Sequence, residues 1–197
     1  MNEITPTAKS LASLDTHRDG KLSPDWASAS AATAVPLTAV VPPIYCSPGF
    51  SLRSQHLARE SGGQFYGEHD SLKDIVEPLV LWVDETGVSL RQTGSKAMGP
   101  VQCEFVGGEA RHRRRYGGGK SQAIAKAVGI KDKQRPFVAD LTAGMGGDAC
   151  ALAGLGSFVV MVERHPAVAA LLADGLRRGN IAAETNEDVA ELMARMS

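Results

Sequence analysis

Residues 137–163 read FVADLTAGMGGDACALAGLGSFVVMVE, and this stretch decides the fold. Pro136 precedes a short apolar run, Phe137 to Leu141, bounded on its far side by glycines, which predicts an apolar strand. A glycine-rich turn leads into an Ala/Leu-rich segment, Gly147 to Leu155, that predicts a helix, and Ser157 to Val162 predicts a second apolar strand ending at Glu163. Pro166 suits the first position of the next helix, which amphipathic spacing carries through Arg178, and Glu187 to Met196 predicts one more helix. Strand, glycine turn, helix, strand, helix is the first half of a doubly wound α/β domain, in which parallel strands are joined by right-handed crossovers.

The turn itself, Asp140 to Ala149 (DLTAGMGGDA), falls at the carboxyl end of a strand, where open α/β sheets bind ligands. Glycines at 144, 146 and 147 let the backbone turn sharply and leave no Cβ between chain and ligand. Gly144-x-Gly146-x-x-Ala149 fits the dinucleotide pattern, with Glu163 placed for ribose hydroxyls, so an NAD-dependent oxidoreductase stays open. Asp140 weighs against it. A carboxylate at the strand end repels a pyrophosphate but suits the ammonium of a methionine moiety, which favours S-adenosyl-L-methionine as cofactor. Each acid also has a plainer reading: Asp140 as a turn cap, Glu163 as an ion-pair partner of Arg164 or Arg177, and Asp148 as a cap for helix amides.

The segment from Glu104 to Arg135 holds nine Lys/Arg against three acids, a local charge of +6 in a chain whose net charge is -1. Its centre is EARHRRRYGGGK, a glycine-bracketed basic loop. GGGKS at 117–121 is not a nucleotide phosphate loop, because Arg114 stands where that pattern needs glycine. His112, Arg113, Arg114, Arg115, Tyr116 and Lys120 suit RNA instead, with the cations on phosphates and Tyr116 stacking on a base. That loop alone also fits a non-catalytic RNA-binding module. His112 lacks partner ligands, so no metal is expected.

Outward from these motifs, residues 1–42 form an Ala/Ser/Pro-rich stretch expected to be a flexible extension. Asp15 to Trp26 loosely resembles a calcium loop, but Trp26 occupies the position that needs Glu. Residues 43–108 predict a small α+β module: a strand at Ile44 to Cys46, a helix from Leu52 to Glu60 stopped by Gly62-Gly63, a hairpin of Pro78 to Asp84 with Val88 to Gln92, and a strand from Val101 to Val106. Residues 109–136 hold the basic loop and a linking helix, Ser121 to Val128, and 137–197 the start of the cofactor-binding domain. Hydrophobic residues at 43% and charged ones at 22% suit a globular chain. Three scattered cysteines, no secretory pattern and no apolar run of membrane-spanning length lead us to expect a cytoplasmic protein.

Two blocks, FVGGEARHRRRYGGGKSQAIAKAVGIK from Phe105 and DLTAGMGGDACALAGLGSFVVMVERHPAVAALLADGLRRG from Asp140, resemble the ribosomal RNA small subunit methyltransferase J family, over roughly residues 43–180. The resemblance implies a class I, Rossmann-like methyltransferase that moves a methyl group from S-adenosyl-L-methionine to the N2 amine of a guanine in 16S ribosomal RNA, with the small ribosomal subunit as partner. By this likeness the family's cofactor contacts fall on Gly147, Asp148, Glu163 and Arg164, while Asp140, Gly144 and Gly146 come from the motif's physics. The family's later Asp-Pro-Met-Phe-Pro segment has no counterpart here, and Phe137 to Ser197 is far short of the roughly 150 residues of a full class I domain. The expectation is therefore the first half of that domain, its sheet stopped after two strands, in a truncated or divided product with little activity alone. No catalytic residue is assigned.

Overall fold

The computed structural model describes residues 39–107 and 123–197. The first sheet has four strands in the order β2-β1-β3-β4: β1 (Ile44–Cys46), β2 (Phe65–Glu68), β3 (Leu79–Asp84) and β4 (Gly87–Gln92). β1 runs parallel to both neighbours, and β3 and β4 pair antiparallel with Asp84 opposite Gly87, which leaves Glu85-Thr86 as the turn. Asp84 fixes that turn by accepting from the Thr86 N–H at 2.8 Å and its hydroxyl at 2.6 Å. Helix α1 (Ser51–Ser61) follows β1 and stops at Gly62, whose left-handed φ of 68° a β-carbon would oppose. β2 was not expected from the sequence, because a strand of four residues with Gly67 in its interior carries little strand signal.

Val101 to Val106, expected as a strand, does not form one. Only Val101 pairs, in an isolated bridge to Leu90, and the rest of the segment joins no ladder. Its alternation has another cause: Cys103 and Phe105 turn into the core and are almost fully buried.

Among the described residues after the basic loop, a short helix α2 (Ala123–Ala127) precedes β5 (Val138–Asp140), α3 (Gly147–Gly154), β6 (Val159–Met161), α4 (Pro166–Ala183) and α5 (Glu187–Met193). β5 and β6 are parallel and in register from Val138–Val159 to Asp140–Met161. The sheet does not stop there. Met196 pairs parallel with Val159, the Val159 N–H donates to Arg195 O at 2.8 Å, and the Met161 N–H donates to Ser197 O at 2.7 Å. A third strand thus begins on the side of β6 away from β5, the 3-2-1 order of doubly wound folds. For the same reason α5 ends before Met196: the chain must leave the helix to enter the ladder. α4 runs past the predicted end at Arg178 because Gly179 is not a stop but a contact, its α-carbon lying against the Met193 side chain.

One hydrophobic cluster joins the inner face of the first sheet (Ile44, Leu81, Val83) to α3, β6, α4 and α5 through Leu152, Val159, Leu171 and Leu192. Alternation along β3 sends Val80 and Trp82 to the opposite face, where they pack with Tyr45 and Ile75. Cys46, Cys103 and Cys150 are buried thiols, and burial pushes Cys103 up to about 12, so it is inert at neutral pH.

A charged knot fastens the first sheet to α4. Asp174, 5% exposed, accepts from the Val88 N–H at 2.9 Å, from Arg178 Nε at 3.0 Å, from Arg177, and from Arg53 on α1. Arg178 in turn donates to Glu104 at 2.8 Å and to the Cys103 carbonyl. Burial alone would raise the Asp174 carboxyl, but the Val88 N–H and the arginines outweigh it and hold it below the usual range. Gly87 is obligatory beside this knot, since a β-carbon there would strike the Asp174 carboxylate.

Candidate cofactor-binding site

β5 delivers Asp140 to the edge of a tight turn. The Asp140 carbonyl accepts from the Val162 N–H at 2.8 Å, and the Ala143 N–H donates to Val162 O at 3.1 Å, so the turn is sewn to the end of β6. Asp140 Oδ1 accepts from the Thr142 N–H at 3.0 Å, which is the capping role, while Oδ2 makes no hydrogen bond among the described residues.

Glu163 crosses from the end of β6 to the same turn. Its Oε2 accepts from the Gly144 N–H at 2.9 Å and its Oε1 from the His165 N–H at 2.7 Å. The His165 N–H, then that of Gly144, holds the carboxyl below the usual carboxylate range. Among the described residues it forms no ion pair with Arg164 or Arg177; Arg177 pairs with Asp174 at 3.2 Å instead. Each Glu163 oxygen keeps a second lone pair for a ligand hydroxyl.

The glycines divide their work. Gly144, at φ 54°, has open space where a β-carbon would point, with only Thr142 O at 3.9 Å. Gly146, at φ 69°, faces the core, where a β-carbon would lie 2.8 Å from Phe105 and 3.0 Å from Leu172. Gly147 opens α3, whose start carries no side-chain cap. Asp148 sits exposed in the first turn of α3, where the helix N-terminus favours a negative charge, and it makes no capping bond. Arg164 is exposed beside Glu163. The turn thus gathers Asp140, Gly144, Gly146, Gly147, Asp148, Glu163 and Arg164 at the carboxyl ends of two parallel strands.

His112, Arg113, Arg114, Arg115, Tyr116 and Lys120 lie outside the described residues. Sequence reading missed a cleft of about 660 Å³ that starts at Glu163 and Arg164 and runs between α1 and α4. Its α4 wall repeats at helical spacing (Pro166, Ala169, Ala170, Ala173), but no local signal says that α1 lies opposite. Among the described residues no group of three or more His, Cys, Asp or Glu is placed to hold a metal, and no helix is long and apolar enough to cross a membrane.

Parallel strands with a glycine turn and an acid at each strand end are the arrangement with which open α/β domains receive nucleotide-type cofactors. The family described as "Putative SAM-dependent methyltransferase" matches residues 69–197, and the chain belongs to it. It is 46% identical over 157 residues to ribosomal RNA small subunit methyltransferase J of Cellvibrio japonicus, covering 78% of this chain and 58% of that one. It is 54% identical over 118 residues to the protein of the same name from Pseudomonas fluorescens, covering 60% and 44%. A crystal structure of a SAM-dependent methyltransferase from Neisseria gonorrhoeae superposes with a TM-score of 0.58 at 34% identity, covering 79% of this chain and 58% of that one. The chain thus spans about half the length of the curated relatives it matches. These likenesses favour a methyltransferase over an NAD-dependent oxidoreductase or a non-catalytic RNA-binding module.

Proposed function

We propose that the protein is an S-adenosyl-L-methionine-dependent methyltransferase acting on the N2 amine of a guanine in 16S ribosomal RNA, in the cytoplasm, with the small ribosomal subunit as partner. The observation that carries the cofactor reading is the pair of acids flanking an open glycine: Asp140 with one oxygen unengaged among the described residues, Glu163 braced by two amides, and Gly144 between them with only the Thr142 carbonyl, 3.9 Å from where a β-carbon would sit. Such a site fits an adenosylmethionine. Asp140 Oδ2 takes the ammonium, Gly144 and Gly147 let the ligand approach the backbone, and Glu163 accepts from the ribose hydroxyls, with Asp148 and Arg164 beside them. A dinucleotide pyrophosphate suits the site poorly, because Asp140 and Asp148 would both face its negative charge. The cofactor supplies an electrophilic methyl on a sulfonium. The chain's own contribution is to hold that group still, since positioning of the two reactants dominates such a displacement.

On the RNA side, Arg113, Arg114, Arg115 and Lys120 bind backbone phosphates, Tyr116 stacks on a base, and His112 adds an RNA contact. The relatives' names support this substrate class. Replacing Asp140 by Asn or Glu163 by Gln removes a charge-assisted hydrogen bond, each worth about 1.5–3 kcal/mol, so adenosylmethionine affinity should fall roughly 10- to 100-fold. Equilibrium dialysis with labelled cofactor measures it. Unchanged binding by both variants, or binding of NAD in place of adenosylmethionine, would overturn the assignment.

A further inference from the structure

The cleft between α1 and α4 runs on past Glu163 and Arg164 and carries charged groups beyond those proposed to hold the cofactor. Its floor is apolar and small, with Leu57 from α1 and Ala169, Ala170 and Ala173 from α4. Its rim carries Arg53 and His56 on one side and Arg164 and Arg177 on the other. Two of these guanidiniums are held in place from behind: Arg53 and Arg177 both bond to Asp174, whose own side chain is only 3% exposed. Their outer faces are left to the cleft, the Arg177 side chain 46% exposed and that of Arg53 28%. Among the described residues the knot is also unbalanced, because Arg53, Arg177 and Arg178 share Asp174 and Glu104 between them, three cations for two anions. Arg164 makes no ion pair among the described residues; of the carboxylates that line the cleft, Asp174 is bound to the arginines, Glu163 to two backbone N–H groups, and Glu60 lies 3.1 Å from His56.

We infer that this cleft binds a single-stranded stretch of the RNA substrate, its backbone phosphates on Arg53, Arg164 and Arg177 and a base over the alanine floor. The inference rests on the reading of the protein as an RNA methyltransferase and adds to it RNA-binding residues on α1 and α4, outside the basic sequence 111–120. Guanidiniums already oriented by a buried carboxylate lose little freedom when they meet a phosphate, and they match its oxygens in pairs. A floor of one leucine and three alanines leaves an apolar surface for a flat base. The cleft begins at Glu163, so a strand lying in it passes beside the cofactor's ribose.

The test uses the full chain, a guanine-containing single-stranded RNA of about ten nucleotides, a length within one single-strand binding site, and fluorescence anisotropy across a salt series. Arg177→Gln and Arg164→Gln should each weaken RNA binding several-fold and lower the salt slope by about one phosphate contact. Ala173→Glu, at an exposed helical position outside the charged knot, should weaken it as well without touching an arginine. Adenosylmethionine affinity, measured on the same samples, should stay within twofold of the parent for Arg177→Gln and Ala173→Glu. RNA binding unchanged in all three variants overturns the inference, as does no binding of this RNA by the parent chain. So does loss of cofactor affinity with RNA binding intact, because the cleft would then belong to the cofactor. If the parent binds RNA through the cleft but binds no adenosylmethionine, the methyltransferase reading fails and the RNA surface stands.

Discussion

Gly144 and Gly146 share one turn and both adopt positive φ, yet a methyl group at each meets different surroundings. At Gly146 it would sit 2.8 Å from a Phe105 ring that is 1% exposed and cannot retreat. Left-handed strain of about 1–2 kcal/mol and overpacking of about 1–3 kcal/mol then act together, so Gly146→Ala should lose about 2–5 kcal/mol in urea unfolding. Gly144→Ala bears only the backbone strain and should unfold within about 2 kcal/mol of the parent. Its larger defect should be in adenosylmethionine binding, because its methyl group points into the space left for the ligand. Equal stability losses with unchanged cofactor binding would refute this division. The glycine pattern itself announced a ligand turn. It did not announce that one glycine serves the core, since Phe105 comes from a distant segment that reads as a strand.

Elements with a strong local signal were legible: β1, α1, the β3–β4 hairpin, β5, β6 and the start of α4 all follow from apolar runs and turn residues. The failures share a cause, which is that the deciding contact is remote. β2 exists because β1 offers it an edge, Val101 to Val106 fails as a strand because only Leu90 meets it, and α4 passes Gly179 because α5 packs there. α4 offers a test of that view. Glycine inside a helix costs about 1 kcal/mol relative to alanine, so Gly→Ala there normally stabilises. At Gly179 the obstructing atoms are the Sδ and Cε of Met193, a flexible side chain, and Gly179→Ala should be neutral within about 1 kcal/mol. At Gly175 the new methyl would meet Cys103 Cβ at 2.9 Å and its carbonyl oxygen at 3.2 Å, so Gly175→Ala should destabilise by about 1–3 kcal/mol. Thermal melts of the two variants decide it, and a stabilised Gly175→Ala would show that the helix and the 103–105 segment are not in close contact.

At the scale of the whole molecule, among the described residues, the first sheet is held to α4 and the second sheet's helices by a hydrophobic cluster and to α4 by one buried carboxylate, and only the first was visible in the sequence. Asp174 lies among leucines and arginines on a helix whose apolar spacing drew attention elsewhere, and its partners Arg53, Val88 and Arg178 come from three separate elements. Its folded-state carboxyl is held below the range of the unfolded chain, near 4. As pH falls through that range the unfolded chain takes up a proton that folded Asp174 refuses, so the stability it contributes is complete at neutral pH and drains away on acidification. Glu104 and Glu163 are shifted the same way and add to the parent's acid sensitivity, but they remain in an Asp174 variant. Asp174→Asn leaves Arg53 and Arg178 facing a neutral amide and should cost about 3–5 kcal/mol at pH 7. The gap between variant and parent should narrow steadily as the pH is taken from 5 toward 3 (about the span over which a lowered Asp titrates), because the parent loses what the variant never had. Urea unfolding of both proteins at each pH checks it. A gap that stays constant on acidification would mean that Asp174 acts through packing and hydrogen bonds alone, and that its charge does not join the first sheet to α4.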